Sequence, residues 1–209
     1  MTLTQPNLSF ESLHALKVKG FCTDDAFVAI TGKSAADSAQ ILQDLVDRGF
    51  AKRREGRMAG TALTPGGGEK HAELLGAEQS QENVAAAIDA LYNAFLPING
   101  DFKRVCMRWQ TRDGGEPNLH DDTAYDAAVV DAAGTLLASY GAAVEQIEDA
   151  PPRFVRYSRR LTEALDRVKA GDSSSFMRPM HESVHDIWME LHQDLLLSAG
   201  RQRGEHDEG

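Results

Sequence analysis

The strongest constraint on how this chain folds lies in its first 75 residues, where helix-start signals and glycine stops alternate at short intervals. Over residues 8–20, Phe10, Leu13, Leu16 and Lys17 recur at helical spacing, and Gly20 is placed to end that helix. Thr23 can cap a second, short helix whose first turn holds Asp24 and Asp25, where the helix dipole favours anions. Thr31-Gly32-Lys33 reads as a tight turn. Ser34 can cap a third helix, with Asp37 three residues on and Ile41, Leu42, Leu45 and Val46 as its apolar stripe up to Gly49. Phe50–Arg54 reads as a strand, Glu55–Gly60 as a turn and Thr61–Thr64 as the return strand. Thr64-Pro65 then opens another helix, Thr as N-cap and Pro at the first helical position. The order is helix, helix, helix, hairpin, helix.

Charge separates this segment from the remainder of the chain. Residues 1–75 hold nine Lys+Arg and nine Asp+Glu, so the other residues, with 13 basic and 23 acidic side chains, carry the whole net charge of −10. A neutral head with a local basic cluster on an acidic body fits a nucleic-acid-reading domain joined to one that does not touch nucleic acid. A hydrophobic fraction of 42% and a charged fraction of 26% are those of a globular chain rather than a disordered one. No uninterrupted apolar run approaches the ~20 residues of a membrane span, and the start MTLTQPNLSFESLH has no secretory pattern. Cys22 and Cys106 are isolated, with no CxxC spacing. No membrane partner and a reducing, cytoplasmic location are the expectation.

Two short helices joined by a glycine turn have the form of a helix-turn-helix, and the hairpin after them makes the order that of a winged helix. The stretch ILQDLVDRGFAKRREGRMAGTALTPGG resembles the end of the recognition helix and the wing of MarR-type regulators, and more loosely of PadR-type ones. The resemblance covers about residues 8–75 and rests on Leu45, Gly49 and Phe50, on Arg53, Arg54 and Arg57, and on Leu63-Thr64-Pro65. It implies a winged helix that binds double-stranded DNA. The DNA-facing residues are then Lys33, Ser34, Asp37 and Gln40 at the start of the recognition helix, with Lys52, Arg53, Arg54 and Arg57 in the wing. Gln40 could read adenine and Asp37 could accept from cytosine N4, while the wing cations contact phosphate. The recognition helix departs from the family in having no Lys or Arg between Ser34 and Asp47, and Asp37 and Asp44 would repel phosphates. The family's dimerising helix ahead of the winged helix also has no counterpart here, so dimer contacts are expected mainly from the C-terminal part.

That part reads as helices throughout. Glu69 to about Gln110 forms one long helix or two, with Val84, Ile88, Leu91, Tyr92 and Phe95 on one face and a kink or break at Pro97. Thr111–Asn118 is a loop, and Asp121 or Asp122 starts a helix running to about Asp149. Pro151-Pro152 marks a boundary, and Phe154–Ala170 is a helix whose arginines are expected in weak surface ion pairs. A helix from Met180 to about Ser198 closes the domain. The expected fold is mainly α: an N-terminal winged helix-turn-helix with a small β-hairpin wing, residues 1–75, an all-helical C-terminal bundle, residues 76–200, and a polar tail, residues 201–209.

His181-Glu182-Ser183-Val184-His185 matches HExxH, the helical pattern that binds zinc in metallopeptidases. His192 lies seven residues after His185, on the same face if the helix runs through all three. Its spacing is not the metzincin one, in which the third histidine follows the first by about ten residues, and no following helix is expected to donate a glutamate. Two readings stand: His181, His185 and His192 hold a divalent metal such as zinc, or they border an apolar core. A small ligand is expected between the Trp109–Asp122 loop and the last helix, using Trp109, Arg112, His120, His185 and Trp188. The whole points to a non-enzymatic, homodimeric DNA-binding regulator whose operator affinity answers to a small-molecule or metal effector. The alternatives are a metal-binding hydrolase-like protein and a protein-interaction module that use the winged helix as a scaffold.

Overall fold

A computed structural model describes residues 9–56 and 59–202; Arg57, expected in the wing, and residues 203–209 of the tail lie outside the described residues. The protein is mainly α-helical with one small two-stranded antiparallel sheet. It divides into two compact units, Met1–Gln81 and Glu82–Gly209. The division falls after residue 75 because the fourth helix packs on the first and so belongs to the N-terminal unit.

The N-terminal unit contains α1 (Phe10–Lys19), α2 (Asp24–Thr31), α3 (Ala35–Asp47), β1 (Ala51–Arg54), β2 (Gly60–Leu63) and α4 (Pro65–Gln79). Three side-chain caps start its helices. Thr23 accepts from the Ala26 N–H at 3.2 Å, Ser34 from Asp37 at 3.1 Å and Thr64 from Gly67 at 3.1 Å. Each satisfies a backbone donor that a helix N-terminus leaves open and is worth about 1 kcal/mol. Gly32, at φ 67°, ends α2 in the left-handed region. Leu13, Leu16, Phe27, Ile30, Leu42 and Leu45 form the core between the helices. Cys22 and Thr61 exchange backbone hydrogen bonds at 2.9 and 2.7 Å, tying the chain before α2 to the hairpin. α1 and α4 meet at a buried pair, His14 Nδ1 to His71 Nε2 at 2.9 Å, with Phe10 stacked on His71 and tilted against His14.

The C-terminal unit contains α5 (Glu82–Gln110), α6 (Thr123–Gln146), α7 (Pro152–Lys169), α8 (Ser174–Met177) and α9 (Val184–Ser198). α5 runs through Pro97 as one helix instead of breaking there. The apolar stripe on both sides of the proline, Leu91, Phe95, Phe102 and Val105, is buried, and that packing outweighs the lost backbone hydrogen bond. Phe95 and Phe102 stack on Trp188 of α9 at 5.0 and 4.5 Å, which pins the two helices together. α6 is long and apolar enough by length and composition to cross a membrane, although Asp126, Asp131, Thr135 and Ser139 interrupt its apolar run. It packs on α5 and α7 through Val129, Ala133, Leu137, Tyr140 and Val144.

The arginines of α7 are not all on the surface. Arg153 is buried and donates to Asp194 at 3.1 Å and to Ser198 at 3.0 Å, and the Tyr157 hydroxyl donates to the same Asp194 at 3.2 Å. Buried Arg160 reaches Glu190 and Glu182, both at 2.7 Å. Burial alone would lower its pKa, but Glu190 and Glu182 outweigh it and hold the guanidinium charged. Such buried pairs add little against an apolar replacement, yet losing one partner strands a charge at a cost of about 3–5 kcal/mol. The α7–α9 seam therefore specifies which faces meet. Arg201, expected in a free tail, is tied to Asp89 at 2.9 Å and lies over the Tyr92 ring.

Candidate nucleic-acid interface and ligand pocket

The hairpin sorts its cations by the period of a strand. Ala51 and Arg53 face inward, and Lys52 and Arg54 are exposed on the opposite side. Their register partners across the hairpin are Ala62 and Gly60, so no acid faces them. Lys52 and Arg54 make no ion pair among the described residues. Arg53 behaves differently. Its guanidinium forks onto Asp24 of α2 at 3.0 and 2.8 Å and its Nε reaches Glu55 at 3.1 Å. The hydrogen bond to Asp24 raises its pKa above the ordinary arginine value. Bidentate pairing of this kind fixes both partners, so Arg53 positions the hairpin against α2.

On α3 the exposed residues of the first two turns are Ala35, Ala36, Asp37, Ala39 and Gln40. Ser34 and Asp37 close on each other, the Ser34 hydroxyl donating to the Asp37 carboxylate at 2.7 Å while accepting from its N–H. Their polar groups are thereby used in the cap. Gln40 has no such engagement, and Lys33 is half-buried in the turn ahead of the cap. The structure thus brings Lys33, Ser34, Asp37 and Gln40 to one end of α3 and Lys52 and Arg54 to one face of the hairpin. Asp24, which takes Arg53, is a partner that sequence spacing did not reveal, because it lies 29 residues away.

In the C-terminal unit the loop after α5 is closed upon itself. Trp109 is buried, stacked on Phe176 at 4.3 Å and tilted against His120 at 4.4 Å. Arg112 pairs with Asp121 and Asp122 and lies over Tyr125, while Asn118 donates to the Trp109 carbonyl and to Asp126. His120 Nδ1 is 3.0 Å from Asp126. These contacts fasten the end of α5 to the start of α6. Trp109, Arg112 and His120, expected to share a ligand site with His185 and Trp188, are engaged in this loop and are not among the residues lining the cavity that holds those two.

The HExxH string is also split. Met180 and Glu182 adopt left-handed backbone, φ 57° and 50°, and α9 begins only at Val184. His181 thus lies ahead of the helix that carries His185 and His192, with its Nε2 3.8 Å from Asp172. Glu182 is taken by Arg160. His192 is buried, its ring 5.1 Å from Phe95. Ser183 caps α9 by accepting from Asp186 at 3.1 Å, and that cap is why the helix starts here and not at Met180. No group of three His, Cys, Asp or Glu side chains suited to a metal ion occurs among the described residues.

His185, Trp188 and His192 do share a place: with Met189 they line a cavity against α5, whose Asn99, Phe102, Lys103 and Cys106 form the other side. Trp188 Nε1 donates to Asn99 Oδ1 at 2.9 Å across it. Burial lowers the pKa of His185, with Asp186 opposing, and pushes the Cys106 thiol up to about 12. The α5 side of this cavity was missed in the sequence, although Asn99, Phe102 and Cys106 recur at helical spacing. Comparisons of the chain with protein-family models, curated proteins and solved structures return no match.

Proposed function

We propose that the protein is a DNA-binding transcriptional regulator of winged-helix type, related in its first 75 residues to MarR-like regulators, and not an enzyme. The observation that carries this reading is the pair Lys52 and Arg54, without an ion pair among the described residues, on the outer face of a hairpin that comes after two capped helices joined by a glycine turn. Cations so placed suit phosphate contact, which supplies most of the affinity for duplex DNA. Ala36, Ala39 and Gln40 leave the start of α3 small enough to approach base edges, with Gln40 as the residue able to read adenine. One such unit covers a half-site, so the regulator acts as a homodimer joined through the helical unit in the cytoplasm. An effector bound in that unit shifts the dimer between states of different operator affinity.

The acids Asp37 and Asp47 on the exposed side of α3 favour a second reading, a protein-interaction module. Fluorescence anisotropy on duplex DNA from upstream of the protein's own gene separates the two. The regulator reading expects sequence-preferring binding that falls about tenfold in the Lys52→Ala/Arg54→Ala variant, about 1.4 kcal/mol in all. Equal weak binding by wild type and variant, on this duplex and on pooled genomic fragments, would favour the interaction module.

A further inference from the structure

Between α5 and the segment running from α8 into α9 lies a cavity of about 840 Å³, in the range of roughly 300–1,000 Å³ common to small-molecule sites. Its apolar wall is rich in sulfur, with Cys106, Met107, Met177 and Met189 beside Phe102 and Trp188. Thioethers on flexible stems adapt to varied apolar shapes and pack well on rings. The aromatic part of the wall is already ordered, since Trp188 is hydrogen-bonded to Asn99 and stacked between Phe95 and Phe102. An ordered wall lowers the entropic cost of filling the site.

The charged side chains that line the cavity are cationic, although the chain as a whole is acidic. Asp+Glu number 32 in the sequence against 22 Lys+Arg, yet no carboxylate lines the cavity among the described residues, while Lys103 and Arg104 do. Arg104 is also ion-paired with Asp101, one turn back on α5. Gln110 and His185 add neutral hydrogen-bonding groups to the lining. Burial keeps the Cys106 thiol protonated, so it lines the wall as an apolar group. A cationic edge beside an apolar, low-dielectric wall attracts an anion and holds it more strongly than open solvent would.

We propose that this cavity binds an amphipathic organic acid, its apolar body against the sulfur and aromatic wall and its carboxylate at the Lys103–Arg104 edge of α5. This deepens the regulator reading by naming the chemical class of its effector, and it rests on that reading for the consequence of binding but not for binding itself.

The test uses the full chain and 1-anilinonaphthalene-8-sulfonate as a fluorescent anionic probe, displaced by octanoate or by octanol. The proposal expects one saturable site per chain and octanoate to displace the probe at a concentration about tenfold lower than octanol. Lys103→Met/Arg104→Met should abolish that preference and leave octanol displacement unchanged. Gly100 lines the cavity, and a Cβ there meets nothing within 4 Å, so Gly100→Leu should fill the space while keeping or raising the melting temperature. That variant should lose the site. No saturable site, equal displacement by acid and alcohol, or octanoate binding intact in Gly100→Leu would each overturn the proposal. The titration contains no DNA, so a chain that binds octanoate but no duplex keeps the pocket and loses the regulator.

Discussion

Single residues decide the closest contacts of the N-terminal unit. A Cβ on Gly67, in the first turn of α4, would lie 1.9 Å from the Phe50 carbonyl oxygen, whereas one on Gly68 meets nothing within 4 Å. Gly67→Ala should therefore destabilise by about 1–3 kcal/mol through forced backbone movement, and Gly68→Ala should stabilise by up to about 1 kcal/mol. Urea titrations of the two variants check the sign of each. In the C-terminal unit Asp194 compensates Arg153 inside the bundle. Asp194→Ala should cost about 3–5 kcal/mol because it strands the guanidinium, measured as a drop in the denaturation midpoint. His185 gives a pH dependence of known sign. Burial lowers its folded pKa below the ordinary 6.5, so as pH falls from there the unfolded chain takes up the proton first. Its contribution to stability is present above pH 6.5 and lost as pH drops toward the folded pKa. Melting curves from pH 7.5 to 5 should show a smaller loss in His185→Gln than in wild type.

At the scale of elements, what was legible in the sequence was whatever is local. Thr23, Ser34 and Thr64-Pro65 announce three helices because a cap is a contact between residues three apart. The hairpin was readable from strand and turn composition at Ala51–Leu63. What stayed hidden depends on partners distant in the chain. Pro97 reads as a kink or break, but packing on Trp188 carries α5 through it as one helix. HExxH reads as helical, but the Ser183 cap starts α9 after its first histidine and glutamate. The arginines of α7 read as a solvated face because their acids lie on another helix. The same holds for the candidate interface: Lys52 and Arg54 alternate outward as the strand period requires, while the capture of Arg53 by Asp24 crosses from β1 to α2. Asp24→Asn tests that crossing contact. It loosens the fork and removes an acid beside the hairpin, so affinity for duplex DNA should rise severalfold, for a loss of about 0.3–1 kcal/mol from the first turn of α2. Anisotropy and thermal melting read the two effects separately.

For the whole molecule, the two units divide charge and chemistry. Residues 1–75 are neutral overall, with Lys52 and Arg54 exposed on one hairpin face, and the acidic remainder holds a helical core with a cation-edged cavity. The central claim is that Lys52 and Arg54 contact phosphate. It is tested most directly by the salt dependence of DNA binding, because each phosphate contact releases counterions and adds about 0.9 to the slope of log K against log salt. With anisotropy measured on one duplex over a range of salt concentrations, wild type should show a steep negative slope. In Lys52→Ala/Arg54→Ala it should be shallower by about 2 for each chain bound. Parallel lines for the two proteins would contradict the account, placing DNA, if it binds at all, somewhere other than this hairpin.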